Sequence, residues 1–215
     1  MPRQTTVRER VQERLPDLFV TLVSVLTGLV LADLVTEARA RMRLWPLDLQ
    51  SMLTWCQLSA TFLSAIIAWI QFTHIGVSRH RLPTFGDSIV TFAIPLGVLI
   101  VTSFIGRPEG WPWFYAAAAY LVVAIVSVAW HLRLAMAEPE LAGLQAGLRP
   151  TGFLGPLYFA APFYACVGWA DQHGWLSPLG EVLLAAGASP TALFVGYLFF
   201  RDWHRTLPSA ETRTE

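Results

Sequence analysis

Apolar residues in this chain come in long blocks joined by short polar links, and one block carries a second pattern. Leu53 to Phe72 is apolar over a length that, at ~1.5 Å per residue, spans roughly 30 Å, the thickness of a bilayer's hydrocarbon core. Within and just beyond it, Thr54, Gln57, Thr61, Ser64, Ala68, Gln71 and His74 recur at steps of three and four and so share one helical face. Trp55, Leu58, Phe62, Ile66, Trp69 and Ile70 fill the other side. A polar stripe of that length is not tolerated against lipid, where unpaired polar groups are costly, so it must face other helices or water.

The remaining blocks predict five more helices. The first runs from about Asp17 to Thr36, with Pro16 suited to its first turn and Ser24, Gly28 and Ala32 forming a small-residue face. Trp45 and Pro46 mark an interfacial break before the striped second helix. The third, about Asp87 to Ile105, places Ser88, Thr91, Pro95 and Thr102 on one face; Pro95 should kink it, with Thr91 helping to satisfy the freed carbonyl. An aromatic belt at Trp111, Trp113, Phe114 and Tyr115 opens the fourth, which runs to about Leu132. Leu141, Leu144 and Leu148 are spaced for a short surface helix, a pattern weakened by Gly143 and Gly147. The fifth, Phe153 to Trp169, carries Pro156 and Pro162 and is expected to be broken. Ser177 and Pro178 cap the sixth, with Glu181 in its first turn, and an interruption is expected near Gly187 to Pro190.

The expected fold is therefore all-α: a six-helix transmembrane domain over 16–202 between a segment at 1–15 and a tail at 203–215. Eleven arginines flank one side of this arrangement and four the other, which puts both termini in the cytoplasm. A cleaved signal peptide is the competing reading of the N-terminus, but the apolar run and its polar lead are both too long for one. No connection is long enough to hold a soluble domain.

Composition sharpens the class. Of 215 residues 54% are hydrophobic and 14% charged, and the net charge is zero, without the basic arm of a nucleic-acid binder. All fifteen cations are arginine, a bias expected of a GC-rich genome, so no Schiff-base lysine exists. Cys56 and Cys166 lie in apolar runs and read as small buried hydrophobes; a disulfide between them is the minor alternative.

Candidate chemistry is sparse. His74 and His131 close helices two and four at similar depth, a geometry open to axial haem ligation, but no attachment motif accompanies them and no haem is expected. No zinc spacing, no GxSxG and no carboxylate pair at mid-membrane depth occurs, so an enzyme is not expected. Asp87, Asp171 and Asp202 fall at membrane edges, as solvated charges would. The polar faces remain. Hydroxyls and amides either glue helices together, at about 0.6 kcal/mol per contact, or line a path for an ion or solute.

Arg14 before helix one, Asp33 near its far end, and Trp69 with His74 at the end of helix two resemble the lysosomal-type potassium channels in their short prokaryotic form. That family opens helix one with Arg, three residues and Phe-Ser-Asp; here Leu18-Phe19-Val20 follows Arg14, so the Ser and Asp are missing. The resemblance implies a tetrameric channel for monovalent cations in the bacterial inner membrane. Helix one would line the axis, with Ser24, Val25, Gly28 and Leu29 as pore candidates and Val25 and Leu29 as the apolar constriction. Arg14, Trp69 and His74 would support it, and the polar face read from the spacing adds Gln57, Thr61, Ser64 and Gln71 as supporting candidates. The alternative is a non-conducting membrane module, a subunit or effector whose polar faces bind a partner helix or cofactor.

Overall fold

The computed structural model describes residues 7–41, 48–77, 85–136 and 150–204, and these are helical apart from short turns. Six helices follow one another: α1 (Val7–Arg41), α2 (Leu49–Val77), α3 (Phe85–Thr102), α4 (Trp111–Met136), α5 (Pro150–Gln172) and α6 (Pro178–His204). The linkers holding the Trp45–Pro46 break and the 141–148 surface segment, and the tail from 205, lie outside the described residues.

Several boundaries differ from expectation for local reasons. α1 begins at Val7, so Pro16 sits inside the helix and not in its first turn. The stretch from Val7 to Leu15 is rich in Arg, Glu, Gln and Leu, good helix formers that carry the helix beyond its apolar block. α3 ends at Thr102 and a turn takes over through Gly106, whose φ of 65° suits a residue without a Cβ. α5 and α6 run unbroken through Pro156, Pro162 and Pro190, where interruptions were expected. At the last of these, Thr191 Oγ1 donates to the Gly187 carbonyl at 2.8 Å, serving an acceptor in the turn that proline disturbs. The expected cap at Ser177 forms, with Gly180 N–H donating to its Oγ at 3.2 Å, and α2 has a cap that was not expected, Ser51 N–H donating to Asp48 Oδ1 at 2.7 Å.

Five helices close a ring. α2 packs on α3, α3 on α4, α4 on α5, α5 on α6, and α6 returns to α2 in one of the two most extensive contacts of the fold. α1 stands outside this ring, against α2 and α3. Phe114 and Ala185 are fully buried, and Phe114 stacks on Tyr164 at 6.2 Å where α4 meets α5. Ser59 and Ser189 pair their hydroxyls at 2.9 Å between α2 and α6.

The outside of the bundle is apolar on every helix. Leu29 on α1, Phe62 on α2, Leu96 on α3, Val126 on α4, Phe159 on α5 and Leu183 on α6 are all exposed. A soluble monomer does not present apolar surface all round; a bilayer is the solvent that accepts it. Four helices are long and apolar enough to cross a membrane: Asp17–Ala40, Leu49–Thr73, Trp111–Trp130 and Pro178–Arg201. The apolar part of α3, Phe92–Thr102, is shorter.

Candidate functional site

The polar stripe of α2 is turned inward, as its spacing requires, and then divides into two parts with different tasks. Ser51, Thr54, Gln57 and Thr61 are among the most deeply buried polar residues of the described chain. Gln57 Oε1 accepts the N–H of Gly106 at 3.0 Å, and Gln50 Nε2 donates to the Arg107 carbonyl at 2.7 Å. These two amides tie the first half of α2 to the turn between α3 and α4. Thr54 and Thr61 return their hydroxyl protons to the Gln50 and Gln57 carbonyls, satisfying themselves within the helix. This half of the stripe is structural glue. Leu58, expected on the lipid side, is also buried, because α2 is covered by α1, α3 and α6 on more than one face.

The second half of the stripe faces a part-open cavity of about 110 Å³ inside the ring. α2 contributes Thr61, Ser64, Gln71 and apolar neighbours; α3 contributes Ile94, Val98 and Val101. Tyr120, Leu121 and Ala124 on α4, Leu157 and Tyr164 on α5, and Thr191 and Val195 on α6 complete most of the wall. Among the described residues no charged side chain lines it, and none comes from α1. Ser64 and Gln71 make no hydrogen bond to another described residue.

α1 has two faces. Val23, Thr27, Val30 and Leu34 are buried against the ring. Leu18, Leu22, Val25, Leu29, Ala32 and Thr36 follow one another at steps of four and three on the opposite side, and all are exposed. Of the pore candidates, Val25 and Leu29 are therefore 56% and 59% exposed, and Gly28 has open space where a Cβ would stand. Ser24 is different: it accepts the indole N–H of Trp69 at 3.2 Å, fastening α1 to α2 at the height of Val25. Among the supporting residues, Trp69 thus touches α1, Gln57 anchors a turn, and Thr61, Ser64 and Gln71 line the cavity. The structure does not gather them into one site. Arg14, His74, His131 and Thr91 lie on their helices, but their side chains fall outside the described residues, and with them the haem geometry and the Thr91 contact at Pro95.

One cluster escaped the sequence reading. Asp171 near the end of α5 and Glu181 in the first turn of α6 converge on Gly110, just before α4. A Cβ there would stand 3.1 Å from Asp171 Oδ2 and within contact of Glu181 Oε2. Asp171 takes the Trp111 backbone N–H, and its Oδ2 is buried with no hydrogen-bond partner among the described residues. A proton shared with Glu181 would give that oxygen a partner and tie the two carboxyls together. Burial pushes the Asp171 carboxyl above its usual range, against the lowering effect of these hydrogen bonds. The expectation of a freely solvated Asp171 is therefore corrected. The only local signal was Glu181 behind the Ser177–Pro178 cap; nothing in the spacing brought Gly110 to it.

Both cysteines are free thiols, Cys56 half-buried and Cys166 exposed, so the disulfide alternative does not hold in this structure. Among the described residues no group of three or more His, Cys, Asp or Glu gathers as a metal site would require. No family model, curated protein or solved structure matches the chain.

Proposed function

We propose that the protein is a homo-oligomeric channel for monovalent cations in a bacterial cytoplasmic membrane. In this reading all six helices cross the bilayer, both termini are cytoplasmic, and α1 of each copy faces a common axis. The observation that carries it is the uncovered row Leu18, Leu22, Val25 and Leu29 on a helix whose other face is buried. Its four-three spacing is that of a helix–helix seam, and Gly28 beside it lets a second backbone approach closely. The Trp69 bond to Ser24 supports the same reading, because it holds α1 in a rotation that turns Val25 away from the ring. The inner cavity is a poorer ion path: its described lining carries no charge, and stripping water from a cation there is costly.

An axial ring of Val25 and Leu29 would exclude water and hold the path closed until widened. Val25→Asn hydrates such a ring and is expected to raise potassium or sodium flux into liposomes, whereas Phe62→Asn on the exposed side of α2 leaves flux unchanged. If wild-type and Val25→Asn proteins are both folded, oligomeric and silent, conduction is excluded and the non-conducting module becomes the reading to pursue.

A further inference from the structure

The ring cavity is assigned no task by conduction along α1, yet it has the features of a binding site. Its volume of about 110 Å³ is well above that of a packing void. It is somewhat smaller than the engineered apolar cavity of ~150 Å³ that takes up benzene in another protein. Most of its wall is aliphatic or aromatic: Ile67, Phe72, Ile94, Val98, Leu121 and Val195 among others. Three of its polar side chains lie on α2, and Trp113, Tyr120, Ser127, Tyr164 and Thr191 on α4, α5 and α6 carry the others. On α2, Thr61 has spent its proton on the Gln57 carbonyl, while Ser64 and Gln71 make no hydrogen bond to another described residue; across the cavity Trp113 Nε1 is a buried donor without a partner among the described residues. Ser64 and Gln71 lie seven residues apart, roughly 10 Å along the helix, so a molecule lying against α2 meets one of these anchors and a wall beyond it that is mostly apolar. Water suits the anchor and not the wall; a hydrocarbon suits the wall and leaves the anchor unpaired. Among the described residues no charged side chain lines the cavity to replace the hydration of an ion, which favours an uncharged occupant.

We propose that this cavity binds a small uncharged molecule with an apolar, ring-sized body and one hydrogen-bonding head, the head held by Gln71 or Ser64 and the body against α3, α4 and α5. Pockets for organic ligands are commonly built this way, apolar overall with a few placed polar groups. α1 is not part of the wall, so the proposal stands or falls separately from cation conduction.

Benzyl alcohol serves as the probe, with toluene as the headless analogue and benzoate as the charged one. Binding to the full-length protein in lipid nanodiscs is followed by ligand-observed NMR against empty nanodiscs. Saturable binding of benzyl alcohol is expected, with toluene weaker and benzoate unbound. Ala124→Phe, which fills the cavity from α4, is expected to weaken benzyl alcohol at least about tenfold. Ala192→Leu does the same from α6 and serves should the first variant fail to fold. Gln71→Leu with Ser64→Ala should abolish the preference for the alcohol over toluene. Absence of saturable binding overturns the proposal. So does binding that survives in a folded filled variant, since that is partition into lipid.

Discussion

Gln57 shows how much depends on a single side chain in this fold. It is 1% exposed and lies on a helix that otherwise reads as a membrane span, a costly place for an amide. The cost is met because its Oε1 takes the Gly106 N–H, in a turn where Gly106 has a positive φ and the chain has just left α3. Gln57→Leu keeps the volume and removes the acceptor. It is expected to destabilise the protein by about 1–3 kcal/mol, read as a lower thermal midpoint in detergent, with the helix content of the folded state unchanged. An unchanged midpoint would mean that the turn does not depend on this bond. Gln71, two helical turns or so beyond Ser64 on the same face, has no such partner among the described residues. Substitution there should move ligand preference and leave stability nearly unchanged.

At the scale of elements, the junction of α4, α5 and α6 is the most conditional contact. α5 ends at a Gly174 with φ of 70°, which closes the helix by giving its N–H to the Asp171 carbonyl at 2.9 Å. The short turn then brings Glu181 back to Asp171 over Gly110. Among the described residues, the charged or titratable groups nearest this junction are turned to other partners or exposed. Arg107 lies over the Phe104 ring, His173 Nδ1 meets the Trp169 carbonyl, and Glu109 is exposed. Because the Asp171 pKa is raised in the folded chain, the folded state binds more protons than the unfolded one between the two values. Stability from this pair is present at acid pH and declines as pH rises through the raised value. The thermal midpoint of the wild type should therefore fall as pH rises out of the ordinary carboxylate range. Glu181→Gln, whose amide donates to an ionised Asp171, should flatten that dependence. A wild-type midpoint that rises over the same interval would show that no proton is shared. Gly110→Ala should act as a permanent wedge, since its Cβ would press on both carboxylates.

For the whole molecule, the decisive property is that α1 lies outside the closed ring and shows one apolar row to the surroundings. If that row is a seam between copies, cysteines at Leu22 and Leu29 should crosslink neighbouring copies under mild oxidation, whereas a cysteine at exposed Val122 on α4 should not. Equal crosslinking at all three sites, or none at any, would argue for a lipid-facing α1. The same preparation tests topology: reporters fused before residue 7 and after residue 204 are expected on the same side of the membrane, as an even number of crossings requires. Opposite sides would mean that α3 or α5, each shorter in its apolar part or rich in proline, does not cross.

Local pattern determined the helices, their apolar exteriors, the cap at Ser177, and the inward turn of the α2 stripe. Each of these follows from residues within a few positions of one another, through helical periodicity, capping and the cost of polar groups in lipid. The continuity of α5 and α6 through their prolines was not legible, because helices packed against them and nearby hydroxyls compensate for what proline removes. Nor was the division of the α2 stripe: whether a glutamine is glue or lining depends on which distant backbone meets it, and Gln57 and Gly106 lie 49 residues apart. The pairing of Asp171 with Glu181 over Gly110, the cavity, and the exclusion of α1 from the ring are likewise products of which helices pack together. That choice rests on shape complementarity summed over whole helix faces, and no short stretch of sequence encodes it.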